Sequence, residues 1–491
     1  MLHPKILEIN VRLLLTRYST KDRKATLKDI PNSYWENIAE KGIQYIWLMG
    51  IWETCDSVIE KCCFEEGLVN SYSRALKDWT KEDIIGSPYS INNYELNKSI
   101  CNVDELKHFT AFLKSIELKL ILDFIPNHFS VDSEILKNKP ELFLQTNSEH
   151  HIQDQHTFFQ SEYHENKFFA HGRDPFFPAW TDTAQLNYFN EETRKFMIEN
   201  LLKIAAICDG VRCDMAMLVM NNVLKNTWRG TIENNIAANL SVEFWNEAIE
   251  TVKKKNKNFI FIAEAYWDLE WQLQNCGFDF TYDKRLLDRL ENAPNYSIME
   301  HLRATKEYQE RSVRFLENHD EDRAITKFGF EKSFAAAIII STVQGMKLYF
   351  DGQFEGKKIK LPIQLGREPK ELANPSVVKF YKNLFSVTNH DVFNYGEWEI
   401  LYMQQAWEGN INNENIFAWK WNYKNENRLV LINYSDKTSQ GRIKLDLNGY
   451  EDVFQLKDLL NNKIYTRSVE EVHHIGLFIE LGGYKAHIFE Y

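Results

Sequence analysis

The sequence predicts an α/β fold, a (β/α)8 barrel with a small domain inserted after its third strand and a C-terminal antiparallel β-sandwich. Three observations predict it. Short apolar runs alternate with longer stretches of helical period, the pattern of βα units around a parallel sheet. Between the third and fourth runs, residues 129–187 lose that period and fill with aromatic, His and Asp residues. After residue 389 the period becomes two, in ENRLVLINYS, GRIKLDLN and GYKAHIFEY, with NG, NN and GG turn signals.

The runs fall at 6–13, 43–48, 118–124, 210–213, 259–263, 278–282, 313–316 and 347–350. Several are almost continuously apolar, as strands covered on both faces must be. The first lies in MLHPKILEINVRLLL, which carries Arg12 and is followed by no small-residue cleavage site, so it reads as a strand and not as a leader. A loop as long as 129–187 is uncommon inside a compact domain unless functional, which marks it as an insert. The expected division is 1–128 with 188–389 for the barrel, 129–187 for the insert and 390–491 for the sandwich; 491 residues exceed one ordinary core.

Composition narrows the partners. A net charge of −12 argues against nucleic acid, whose binders carry a basic face. No apolar stretch reaches the roughly 18 to 20 residues of a membrane span, the longest being 335–343. Seven cysteines, odd in number and scattered, point to a reducing compartment and a cytoplasmic protein. Cys62 and Cys63 are adjacent, and the doublets His150/His151 and His473/His474 lack HExxH spacing, so no structural metal of that kind and no cofactor is expected.

Chemistry-bearing residues gather at the C-terminal ends of four runs, where βα loops build the active face of a barrel. The third run ends in ILDFIPNHFS, the fourth in CDGVRCDMAML, the fifth in FIFIAEAYWDLEW and the seventh in VRFLENHDEDR. Each places acids directly after a β run. Arg212 precedes Asp214 by two residues and so points to the same side of its strand.

These segments resemble, in order, the four ordered regions of the α-amylase superfamily, glycoside hydrolase family 13, and the resemblance spans nearly the whole chain. Region one falls on Asp123, Asn127 and His128, region two on Arg212 and Asp214, region three on Glu264, and region four on Asn318, His319 and Asp320. The resemblance implies a retaining α-glycosidase acting on α-glucans or maltooligosaccharide-type α-glucosides. Asp214 is then the nucleophile, Glu264 the general acid/base and Asp320 the third carboxylate. It further implies sugar contacts from His128 and His319, a partly structural Asp123 bridged to Arg212, and stacking under the reacting sugar by Tyr89 of GSPYSINNY. A 14% aromatic content suits such stacking.

Retention needs two carboxyls about 5 to 5.5 Å apart, one attacking the anomeric carbon and the other protonating the leaving oxygen. Arg212 is expected to keep Asp214 ionised, while an apolar setting among Ala263, Ala265, Tyr266 and Trp267 raises the pKa of Glu264. A transglycosylase with the same residues is the alternative, and a non-catalytic carbohydrate-binding or scaffold relative is a third reading.

The sequence also departs from the family pattern. Met217 and Leu218 stand where a Lys-His pair serves sugar binding and calcium, and Gln185, Leu186 and Asn187 replace the insert's Asp-Leu-Asp or Asp-Leu-Asn. Asn127 alone supports no tight calcium site, so activity independent of calcium is expected. Ser90 replaces the Asp that closes the pocket of exo-glucosidases.

Overall fold

The computed structural model describes residues 3–231, 242–447 and 449–491, and in it eight parallel strands close a barrel. They are β1 (Lys5–Asn10), β2 (Tyr45–Met49), β3 (Lys119–Phe124), β4 (Gly210–Cys213), β5 (Ile260–Ala263), β6 (Phe280–Tyr282), β7 (Ser312–Arg314) and β8 (Met346–Phe350). Each pairs with the next, and β8 returns to β1. Each of the eight predicted runs overlaps one of these strands. β1, β2 and β4 are buried along their whole length, which is why their sequences alternate so little. Gly210 opens β4 between β3 and β5. An added Cβ there would lie 2.5 Å from the Ile260 carbonyl oxygen and 2.7 Å from Ile121 Cδ1, so only glycine lets the strands close up.

The first run is shorter as a strand than its sequence predicts. β1 ends at Asn10, and Val11–Thr16 is a helical turn. The Asn10 side chain accepts hydrogen bonds from the amides of Arg12 (3.1 Å) and Leu13 (3.4 Å), an N-cap that stops the strand. Residues 11–15 are buried either way, so apolarity alone cannot separate the two states. Arg12 donates to the carbonyls of Gly86 (3.0 Å) and Ile363 (2.7 Å), tying two loops of the barrel mouth to the first strand.

The segment after β3 begins with the strand His128–Ser130, which pairs antiparallel with Thr183–Gln185. Between them stand a three-stranded sheet, of Gln145–Thr146, Phe168–Ala170 and Phe158–Gln160, and the short helices Glu134–Asn138 and Ser148–Gln153. The helix Glu191–Ile204, capped by Asn190, then leads back to β4.

Beyond the helix Pro375–Thr388, strands β9 (Glu397–Leu401), β10 (Ile416–Tyr423), β11 (Glu426–Asn433), β12 (Ser439–Ile443), β13 (Val453–Asp458), β14 (Lys463–Ser468), β15 (Leu477–Leu481) and β16 (Ala486–Glu490) form two sheets. Six of them run in the order β9-β10-β11-β16-β13-β14, and β12 pairs with β15. Period-two alternation in β10 and β11 serves two interfaces. Ile416, Ala418, Leu429 and Leu431 pack toward the small sheet, while Phe417, Trp419, Trp421, Val430 and Ile432 join the core of the barrel. Trp421 Nε1 donates to the Thr342 carbonyl (2.7 Å) of the helix Phe330–Thr342, and Tyr434 Oη to that of Leu290 (2.7 Å). Among the described residues no helix is long and apolar enough to cross a membrane.

Candidate active site

The sheet ladder continues one residue past β4 and β5. The Asp214 amide donates to the Phe124 carbonyl (2.8 Å) and the Glu264 amide to that of Cys213 (3.0 Å), so both acids leave the barrel at its C-terminal rim on neighbouring strands. One layer below, Arg212 stands in register with Asp123. The chain then turns sharply, with Met215 at φ +41°, a conformation costly for a side chain of this size. That turn aims the Met215 amide at Glu264 Oε2 (2.6 Å), while the Ala216 amide reaches the Glu264 carbonyl (3.1 Å). The loop after β4 is thereby stitched to the residue after β5.

Arg212 is the hub. It is 1% exposed, its Nη1 donates to Asp214 Oδ1 (2.7 Å), its Nη2 lies 2.8 Å from Glu264 Oε2, and Asp123 Oδ1 is 3.7 Å from Nη1. The rings of Trp47, Tyr89 and Tyr282 surround the guanidinium at 5.0, 5.3 and 5.7 Å. Arg212 therefore does not distinguish the two acids in the way the sequence led us to expect. Burial raises the pKa of Asp214 against the pull of Arg212, and burial likewise lifts Glu264 to about 7 with Arg212 opposing. The setting of Glu264 is also less apolar than expected. The Tyr266 hydroxyl donates to its Oε1 (2.9 Å), so both carboxyl oxygens face a donor. Asp123, wholly buried, is pushed up to about 7 by desolvation, with Arg212 again opposing.

Asp320 differs from the other two acids in being 46% exposed. Against the cost of desolvation, the His319 ring, with Nε2 3.0 Å from Asp320 Oδ2, holds its carboxyl at about 2. His319 Nε2 is also 3.0 Å from the Tyr89 hydroxyl, and its Nδ1 is 2.6 Å from Glu8 Oε1 on β1. Burial opposes a charge on this ring, yet Asp320 and Glu8 raise its pKa well above the ordinary imidazole value. His128 behaves in the opposite way. Burial lowers it to about 4, with the Tyr89 backbone opposing, and its ring leans on Trp180 at 5.4 Å. It opens the strand that pairs with Thr183–Gln185 of the insert. Ser90 points away from the site and donates to the Asp182 carbonyl (2.8 Å), joining the Tyr89 loop to the insert.

A cavity of about 620 Å³ opens beside His319 and Asp320, walled by Arg74, Lys360 and Gln364 among others. The Lys360 ammonium donates to the Asp320 carbonyl. Glu8, Trp47, Tyr266 and Tyr282 complete the hub and were not singled out by sequence as site residues. For Glu8 a signal existed, an acid inside the otherwise apolar first run.

At the family's calcium position the donors are changed. Gln185 Nε2 donates to Asn127 Oδ1 (2.9 Å), the Asn127 carbonyl (3.1 Å) and the Leu186 carbonyl (3.0 Å), and Gln185 is fully buried. A neutral N–H donor thus stands among the oxygens that a cation would need; of the buried pair beyond, Met217 has only a soft thioether sulfur, which a hard cation binds poorly, and Leu218 has no lone pair to offer. The residues present do not fit calcium there.

Fold and site together define a class, the parallel eight-stranded barrel whose carboxylates collect at the C-terminal mouth. The sequence profile for the alpha amylase catalytic domain matches residues 36–383, and the chain belongs to the alpha-amylase family. Alpha-amylase MalA of Haloarcula japonica is 25% identical over 187 residues, covering 36% of this chain; the match spans only a quarter of that relative's length. A maltogenic alpha-amylase from Thermotoga neapolitana superposes with a TM-score of 0.68 at 20% identity, covering 100% of this chain and 99% of its own. An alpha-amylase from Lactobacillus plantarum gives 0.69 at 18% identity, with coverage of 100% and 99%. These two likenesses concern the fold.

Proposed function

We propose that this chain is a retaining α-glycosidase acting on α-glucans or maltooligosaccharide-type α-glucosides through a covalent glycosyl-enzyme intermediate. The observation that carries the reading is the single buried guanidinium of Arg212 shared by Asp214 and Glu264, which fixes two acids at one rim. Asp214 attacks the anomeric carbon, helped by the positive charge at its Oδ1. Glu264, with a pKa near 7, carries the proton for the leaving oxygen and later takes one from water. Asp320, half exposed and kept anionic by His319, receives the hydroxyls and the growing positive charge of the ring. Tyr89 covers Arg212 and offers its face to the sugar, His128 reaches hydroxyls from the insert side, and Asp123 braces Arg212 from below. The cavity beside His319 and Asp320 leads toward this rim and is open to further sugar units of the substrate. Seven free cysteines support a reducing, cytoplasmic setting.

The test is stereochemical. Two inversions restore the starting configuration, so proton NMR of the first sugar released from an α-glucoside is expected to show the α-anomer. Early accumulation of the β-anomer would overturn the role of Asp214.

A further inference from the structure

The first barrel strand carries an acid to which the proposed chemistry gives no task. Glu8 interrupts the apolar run of Ile6, Leu7 and Ile9 in β1 and is 0% exposed. It stands in register with Trp47 of β2, whose ring covers the Arg212 guanidinium, so its side chain points with that ring into the barrel. A carboxylate buried this deeply is costly unless a partner answers its charge. The answer is His319, whose backbone amide (3.3 Å) and ring Nδ1 (2.6 Å) both meet Glu8 Oε1. Glu8 Oε2 has no hydrogen-bond partner among the described residues, so the compensation falls to this one ring.

The other ring nitrogen faces two groups at once. His319 Nε2 lies 3.0 Å from Asp320 Oδ2 and 3.0 Å from the Tyr89 hydroxyl. With one proton held on Nδ1 by Glu8, a second on Nε2 makes the ring a cation that donates to Asp320. Without that second proton Nε2 presents a lone pair, which accepts from Tyr89 and repels the Asp320 carboxylate. The surrounding charges favour the cation. Asp320 from its own segment and Glu8 from β1 raise the ring's pKa against burial, and Asp123 and Asp214 face the ring from β3 and from the end of β4. Trp47 meets it edge-on at 5.7 Å, and Arg212 lies beyond Tyr89, 5.3 Å from that ring. Lys360 binds the Asp320 carbonyl, and Glu317, the other acid near Glu8, is held by Arg323 at 2.8 Å.

We propose that Glu8 is a positioning residue of the reaction that acts through His319: its charge keeps the second proton on the ring, and the ring keeps Asp320 anionic and anchored at the rim. The inference rests on the proposed function, in which Asp320 meets the hydroxyls and the growing positive charge of the reacting sugar. Glu8 itself touches no substrate. The barrel's first strand thereby reaches the chemistry of its seventh through a single imidazole.

The experiment follows that ring directly. In protein carrying 15N-labelled histidine, with His319→Gln to assign the signal, both ring nitrogens of His319 are expected to be protonated at pH 7 and to titrate well above the ordinary value of about 6.5. Glu8→Gln keeps the shape and an acceptor for Nδ1 but removes the charge, and is expected to lower that titration by about one pH unit or more. Turnover should follow. The ratio of variant to wild-type kcat/KM on an activated α-glucoside is expected to fall about tenfold from pH 6 to pH 8, whereas a packing defect lowers it equally at every pH. Glu8→Asp keeps a charge but draws it back by one methylene, so it should show a smaller fall in both, and it takes the place of Glu8→Gln if that variant does not fold. A wild-type ring neutral at pH 7, an unshifted titration in the folded variant, or a kcat/KM ratio independent of pH each overturns the proposal. The titration needs no turnover, so its outcome stands apart from the success or failure of the proposed function.

Discussion

Arg212 and Gln185 are both fully buried cross-links near the barrel mouth, yet they hold their surroundings in opposite ways. Arg212 is a formal charge shared among Asp214, Glu264 and Asp123. Gln185 is a neutral amide shared among two carbonyls and the Asn127 side chain. Leaving one partner of a buried ion pair alone costs about 3–5 kcal/mol, and leaving a buried neutral polar group alone about 1–3 kcal/mol. The charged link is thus the dearer to build, and it stands where proton positions and ionic states have work to do. The neutral link stands where only loop position matters. At this mouth a covalently bound cation, the Arg212 guanidinium, stands where three carboxylates converge.

The sharpest way to break the comparison is at the acids bound by Arg212. Asp214→Asn and Glu264→Gln are each expected to cut turnover of an activated α-glucoside by several orders of magnitude with the fold retained, because covalent and proton-transfer catalysis each contribute large factors. A loss smaller than about tenfold in folded protein would remove the distinction.

A smaller effect is expected at the neutral link. Gln185→Leu strands the oxygens of Asn127 and Leu186, so thermal or denaturant melting should report a loss of about 1–3 kcal/mol. Dialysis of the wild type against a strong chelator should leave activity and melting temperature unchanged. A marked fall in either, restored by added calcium, would mean that a cation does share the task.

The smallest and most diagnostic change concerns Tyr266. Its hydroxyl donates to Glu264 and favours the carboxylate, so removing it in Tyr266→Phe raises the pKa of Glu264 above about 7. Activity needs the protonated acid and falls as pH rises through that value. The alkaline limb of kcat/KM should therefore move upward in the variant, by up to about one pH unit. A limb that stays put, or moves down, separates Tyr266 from the titration of Glu264.

Much of this was legible in the sequence because strands buried on both faces write continuous apolar runs, and because the acids follow those runs directly. Asp214 and Glu264 each stand one residue past a strand, a position fixed by chain order alone. What escaped was set by proximity across the barrel. Nothing in order or spacing announces that Trp47, Tyr89 and Tyr282 meet around Arg212, or that Glu8, 311 residues away, grips the far side of His319. The end of β1 was misread for a different reason. Asn10 is a local cap signal, but residues 11–15 remain buried after it, and burial masked the change of state. Arg212 was expected to separate two acids because sequence shows only its nearer neighbour; reaching Glu264 needs the adjacent strand.

The closure of β1 against β8 also sets a timetable for biosynthesis. Lys5 is in register with Lys347, so β1 has no partner on one side until about 340 further residues have been made. At about 5–20 residues per second that wait is on the order of tens of seconds. His3 packs on Trp421, so even a closed barrel waits for the following sheet before its first described residue is covered.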